Sequence, residues 1–263
     1  MTDHTELLIT RSADVMHLTM QRGAKGNALS ATLVHSLMQA VDSVYAEQVR
    51  LLVLAGAGKH FCTGFDLSNL DQESDDSLLA RFTRVEFLLH ALHAAPFMTR
   101  ALAHGRATGA GADLVCACSE RWVIGETSFA FPGASFGLVL GTARLADIVG
   151  PTQAREWVEG GATIDEQAAL AADLATRQFA PEALCAELPR LKERVRRLDA
   201  PTQRAIHEAI DTGRRRRGDA GDAQDLLRLV RSAARPGLKE RIASYRALQQ
   251  KSLNLQNKFI LHP

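Results

Sequence analysis

Leu51-Leu52-Val53-Leu54-Ala55-Gly56-Ala57-Gly58-Lys59-His60-Phe61-Cys62-Thr63-Gly64-Phe65-Asp66-Leu67 is the stretch from which the fold is read. Val49 to Leu54 is apolar apart from Arg50, as in a strand buried on both faces, and the run ends at Gly56. Phe61 to Leu67 then make a turn whose small residues let main-chain N–H groups approach a ligand. Farther on, the arrangement recurs. The apolar run Met98 to Ala103 precedes Gly105-Arg106-Ala107-Thr108-Gly109-Ala110-Gly111-Ala112-Asp113. Each turn is expected to open onto helix-like sequence, whose first N–H groups are unpaired and carry partial positive charge. Two such donors converging on one oxygen make an oxyanion hole, which stabilises a carbonyl as it becomes an anion.

Outward from these turns the first half alternates strand and helix signals. Glu6–Thr10 and Val15–Gln21 are short β-type runs, placed to form a hairpin across Ser12-Ala13-Asp14. Ser30 is placed to cap a helix on which Leu33, Val34, Leu37, Ala40, Val41 and Val44 share one face. The polar span Ser68–Ser77 is expected as a solvated loop, helical spacing covers Leu78–Leu92, and Arg121–Ile124 is a further strand. Beyond about Gly150 the signals are helical: Gln153–Glu159, Asp165–Ala172, Pro181–Leu198, a helix from Pro201, and Asp225–Leu255 interrupted at Pro236-Gly237. Periodicity alone gives mixed α/β and no internal repeat.

Composition bounds the function classes. With 263 residues, 46% of them apolar, the chain suits one large domain or two small ones. A net charge of +1 gives no global attraction for nucleic acid or an anionic membrane, so neither is expected as a partner. Met1–Arg11 contains Asp3 and Glu6 and lacks an apolar core, which argues against a signal peptide or membrane span and for a cytoplasmic protein. Cys62, Cys116, Cys118 and Cys185 lack metal-ligand spacing, so neither zinc nor a disulfide framework is expected. The run Arg214-Arg215-Arg216-Arg217 has no accompanying aromatic stripe and suits a solvated helix end or a subunit salt-bridge face, with a phosphate contact as the alternative. No Rossmann glycine pattern, phosphate loop or G-x-S-x-G elbow is present.

The Leu51–Leu67 stretch resembles the first signature of the crotonase, or enoyl-CoA hydratase/isomerase, superfamily. Arg22-Gly23-Ala24-Lys25-Gly26-Asn27-Ala28-Leu29-Ser30 resembles that superfamily's Asn-Ala-Leu segment, and Ala101 through Gly141 its second glycine turn and proline loop. The resemblance covers roughly residues 5 to 150. It implies an α/β fold, a spiral of β-β-α units, with a core over residues 1–199 and a helical carboxy-terminal region over 200–263 that covers the active site and builds homotrimers or homohexamers. It also implies an acyl-CoA thioester as substrate, CoA entering as part of that substrate with no separate cofactor, and an oxyanion hole made by the backbone N–H groups of Phe65 and Ala110. Lys25, Ala28, Thr63, Gly64, Asp66, Leu67, Gly109 and Gly133 are the implied substrate-binding positions, with Asp66 bracing the first turn. Phe65 is bulkier than the alanine common at its position.

The chain departs from the superfamily's pattern at the carboxylates. Hydratases of the family use two glutamates, and the matching positions here are Asp113 and Gly133. A titratable group has to lie within hydrogen-bond reach of the proton it moves, which leaves Asp113 as a single acid/base suited to double-bond isomerisation, as a water-positioning group, or as a carboxylate on the first turn of a helix. His104 and Glu126 are the alternative proton carriers. The expected activity is of the enoyl-CoA hydratase/isomerase type. The alternatives are another thioester reaction, namely hydrolysis, decarboxylation or C–C cleavage, and a catalytically silent acyl-CoA-binding subunit.

Overall fold

Strands β1 (Leu7–Ser12) and β2 (Val15–Met20) pair antiparallel, and β1 forms one edge of a seven-stranded sheet. In this computed structural model residues 5–12, 14–46, 49–214 and 219–261 are described. Helix α1 (Ala31–Ala46) crosses over to β3 (Leu51–Gly56), which lies parallel to β2 with Val15 opposite Leu51. Ser30 caps α1 by accepting a hydrogen bond from Leu33 N at 3.0 Å. The six apolar residues predicted to share a face of α1 are all buried. Burying a Leu or Val side chain is worth about 1.5–3 kcal/mol, so this face fixes α1 far more firmly than its cap does.

The unit then repeats. Helix α2 (Asp75–His93) leads to β4 (Met98–Thr108), parallel to β3, and α3 (Ala110–Ala117) leads to β5 (Glu120–Ala130), parallel to β4. Helices α4 (Thr142–Val149) and α5 (Pro151–Glu159) precede β6 (Thr163–Asp165), and α6 (Glu166–Ala171) precedes β7 (Arg177–Phe179). Both short strands pair with β5, β6 antiparallel and β7 parallel. The largest core lies between the sheet and α1 to α3, and a smaller one joins the sheet to α7 (Pro181–Arg196) through Leu191 and Val195. Helices α8 (Ala200–Arg214), α9 (Asp219–Ala233) and α10 (Leu238–Leu261) follow. A third cluster, with Leu78 and Phe82 of α2 against Leu229, Leu238 and Ile242, holds α9 and α10 over the sheet's helical layer.

Two expectations about the turns are corrected. The first turn does not open onto a helix: a 3-10 turn, Leu70–Gln72, intervenes, and α2 begins only at Asp75. The supposed loop Ser68–Ser77 therefore contains the helix start, where Ser74 and Ser77 cap each other reciprocally. The second turn is shorter than its glycines suggest. Strand β4 runs through Gly105 to Thr108, with a register shift against β5 between His104 and Gly105, and only Gly109 separates it from α3. The pairing of both strands turns an apparent stop into a bulge. Arg215, Arg216 and Arg217 lie outside the described residues, as do the side chains of Arg214 and Cys185. Among the described residues no helix is long and apolar enough to cross a membrane, and no group of three His, Cys, Asp or Glu side chains is placed to hold a metal ion.

Candidate active site

The two glycine turns meet at the carboxyl end of β4. Gly64 has φ +93°, and a Cβ there would stand 2.6 Å from Thr108 O, so only glycine lets the first turn touch the strand. Cys62 bridges to Ala107, with Cys62 N donating to Arg106 O at 3.2 Å and Thr108 N to Cys62 O at 3.0 Å. On the other side, Leu29 N donates to Gly64 O at 2.8 Å and Asp66 N to Leu29 O at 3.2 Å. That bridge uses the Gly64 carbonyl and the Asp66 N–H on either side of Phe65 and leaves Phe65 N–H outside it. Ala110 opens α3, where no preceding helical carbonyl can accept its N–H. Phe65 and Ala110 line one cavity of about 310 Å³.

Thr63, Gly64, Leu67, Gly109, Asp113 and Gly133 line the same cavity. Lys25, exposed in a short 3-10 turn, the buried Ala28, and Asp66 are not among its lining residues. Asp66 braces the turn: it accepts from Ser68 N at 2.9 Å, Ser68 Oγ at 2.7 Å and Arg22 Nη2 at 2.7 Å. Burial pushes its carboxyl up, but the Ser68 hydrogen bonds and the Arg22 guanidinium outweigh that and hold it below the usual range. Two braces were not singled out from the sequence. Fully buried Asn27 donates to Ala57 O and His60 O at 2.8 and 2.7 Å, and Arg81 donates to Asp66 O at 3.1 Å. The Phe65 ring stacks on Phe82 with centroids 4.1 Å apart, and the Arg81 guanidinium lies 4.2 Å from its centroid. The bulk of Phe65 thus becomes a rigid wall.

Asp113 is the cavity's carboxyl group. It sits on the first turn of α3, is 3% exposed, and its Oδ1 is buried without a hydrogen-bond partner. Burial pushes the carboxyl up to about 8, with the Arg144 guanidinium opposing and the Glu86 carboxylate reinforcing. Gly141, at the start of α4, approaches so closely that a Cβ would lie 2.0 Å from Asp113 Oδ1. Gly133 lies in the turn Pro132–Phe136 and brings no side chain to the cavity. Of the alternative proton carriers, His104 has its Nε2 3.0 Å from Gly58 O, Glu126 is exposed on β5, and neither lines the cavity.

Most of the remaining wall is apolar, with Phe82, Phe131, Phe136, Leu138, Leu140 and Val158, and Arg106, Thr108 and Thr142 are its polar members. Tyr245 and Gln249 of α10 also line it, so the carboxy-terminal helix forms part of the cavity wall. That helix is clamped. Asp75 of α2 accepts N–H groups from Gly237, Leu238 and Lys239 at 2.8, 3.1 and 2.8 Å, capping α10 from outside its own sequence. Arg241 donates to Phe136 O at 3.0 Å, and Arg246 to Leu67 O at 3.0 Å, tying α10 to both lips of the cavity.

This fold, with its paired turns, is that of the enoyl-CoA hydratase/isomerase family, and the chain belongs to that family: the family's profile matches residues 10–250. It is 32% identical over 173 residues to a protein of Mycobacterium tuberculosis (strain CDC 1551 / Oshkosh) named as an enoyl-CoA hydratase, covering 64% of this chain and 69% of that protein. It is 30% identical over 167 residues to the peroxisomal Delta(3,5)-Delta(2,4)-dienoyl-CoA isomerase of Arabidopsis thaliana, covering 57% and 60%. Among solved structures, an enoyl-CoA hydratase/isomerase-type protein of Bordetella parapertussis superposes with a TM-score of 0.86 at 40% identity, covering 92% of this chain and 98% of that one.

Proposed function

We propose that this acyl-CoA-processing enzyme of the hydratase/isomerase type moves a double bond along the acyl chain, with Asp113 as its single proton carrier. The observation that carries the reading is that Asp113 is the only carboxylate among the described residues lining the cavity, while Gly133 is bare. The thioester oxygen accepts hydrogen bonds from Phe65 N–H and Ala110 N–H, each such donor being worth roughly 2.7 to 4 kcal/mol at the transition state. Ionised Asp113 takes a proton from an acyl carbon, so a C–H bond breaks, an O–H bond forms on Asp113, and the electron pair passes into an enolate held by the two donors. Asp113 then returns the proton to a different carbon of the enolate. Water is neither consumed nor released, and no electron acceptor is needed. CoA enters as part of the substrate.

A carboxylate whose acid form titrates near 8 is a stronger base than an ordinary aspartate, and about a tenth of it is ionised at pH 7. Delivery of water by two opposed carboxylates has no second group at Gly133 to support it. The thioester and pantetheine are assigned to the backbone of Thr63 to Leu67 and to Gly109, and assembly as a homotrimer or homohexamer to residues 200–263, with no nucleic-acid or membrane partner and a cytoplasmic location. The test supplies purified protein with 3-enoyl- and 2-enoyl-CoA thioesters and identifies products by mass and ultraviolet absorbance. Interconversion of the two at constant mass is expected. A gain of one water, release of free acid, or unchanged substrate would overturn the reading.

A further inference from the structure

Behind Asp113 lies a buried ion pair that the proposed reaction does not use. Arg144, on α4 one turn beyond Gly141, donates from Nη1 and Nη2 to Glu86 Oε1 and Oε2 at 2.8 and 2.6 Å, with both side chains almost fully buried. This bidentate geometry is the strong form of the contact and engages both terminal nitrogens of the guanidinium. Asp225 of α9 stands 4.0 Å from Arg144 Nη1 and is itself paired with Arg228 at 2.6 Å. Arg144 Nε is buried without a partner. Asp113 makes no ion pair with Arg144 although its carboxyl abuts Gly141 at the start of the same helix.

We propose that Glu86 and Arg144 are positioning residues which set the charge with which Asp113 meets the substrate: Glu86 engages both Nη groups of Arg144 and so denies Asp113 a direct counter-charge. This rests on the reading of Asp113 as the proton carrier and adds what tunes it. The charged and titratable groups bearing on Asp113 come from every side. Glu86 faces it from α2, Arg144 from α4, and Asp225 acts through Arg144 from α9. On its own helix Cys116 is a buried thiol pushed far above its usual range by burial, hence neutral. Across the cavity stand Arg106 of β4 and Tyr245 of α10, the latter pushed up by burial and so uncharged. The segment after β5 faces the cavity with Phe131, Pro132 and Gly133, which do not titrate. Of these groups, Arg144 is the buried cation nearest along the chain to the contact with Asp113, and its charge is balanced locally by Glu86. Burial disfavours an unpaired carboxylate, and the Glu86 charge disfavours it further.

The test is direct titration of Asp113 in the assembled protein by 13C-carboxyl NMR, its resonance assigned by its loss in Asp113→Asn. Glu86→Gln keeps the shape of the pair while removing the negative charge, so the Asp113 midpoint is expected to fall by at least one pH unit, a tenfold change in its ionisation constant. An unchanged or higher midpoint overturns the proposal. Removing one partner of a buried pair is strongly destabilising. If Glu86→Gln does not fold, Asp225→Asn, at a less buried position against Arg144, is expected to lower the midpoint, and no change or a rise overturns the proposal in the same way. The NMR midpoint stands whether or not an enoyl-CoA is turned over, so failure of the isomerase reading is seen separately, in the product assay on the wild-type protein. In an active enzyme, Glu86→Gln also moves the rising limb of the kcat/KM profile to lower pH, which a purely structural pair would leave in place.

Discussion

Asp113→Asn changes the pH dependence of stability by an amount that follows from the burial of one carboxyl. In the folded protein that group titrates near 8, against 3.8 when exposed in the unfolded chain. Below about pH 4 both states carry the proton. Between 4 and 8 the unfolded chain has released it while the folded one retains it, so the wild type loses stability as pH rises and stops losing it above about 8. The gap of about four pH units, at about 1.4 kcal/mol each, is on the order of 6 kcal/mol. At 3% exposure there is little solvent screening to reduce it. Asn has no proton to lose, and the other carboxylates contribute equally to both proteins. The stability of Asp113→Asn relative to wild type, measured by urea unfolding at fixed protein concentration from pH 4.5 to 8.5, is therefore expected to climb by several kcal/mol across that range. A difference that stays flat would mean that Asp113 ionises like a surface aspartate, and the reasoning about its burial would be refuted.

Three further outcomes follow from particular contacts. Phe82→Ala removes the ring on which Phe65 stacks and opens a void beside the cavity; a loss of about 3–5 kcal/mol is expected in denaturant unfolding. Asp75→Ala strips the cap from α10, and faster amide exchange is expected in residues 237–246 than in α2. CoA thioesters are expected to raise the melting temperature more than the matching free acids do, because binding to the folded state alone is linked to stability; equal shifts would count against CoA as part of the ligand.

Much of the fold was legible because its signals are local. The apolar Leu51–Leu54 run, the glycine stop and the helical spacing of Leu33 to Val44 each demand burial that only one element type can supply. The end of β4 was not, since Gly105 carries the local mark of a turn and becomes a strand bulge only through pairing with β5. The position of Asp113 was legible through the family resemblance, which matches it to one of the two glutamates of the hydratases. Its isolation was not, because Glu86 and Arg144 come from separate helices, and Glu86 has the appearance of any solvated charge on an amphipathic helix until the fold buries it. The clamp on α10 was hidden for the same reason: Asp75 looked like a loop acid, and the N–H groups it caps lie on a helix near the other end of the chain.

The most direct measurement is turnover by Asp113→Asn of a 3-enoyl-CoA that the wild type isomerises, with thioester binding followed in parallel by calorimetry. Asn fills the same space and cannot carry the proton, so kcat is expected to fall at least about 100-fold while the dissociation constant changes little. Unchanged turnover with intact binding would show that another group moves the proton, and the account of Asp113 as the site's single acid/base would be contradicted.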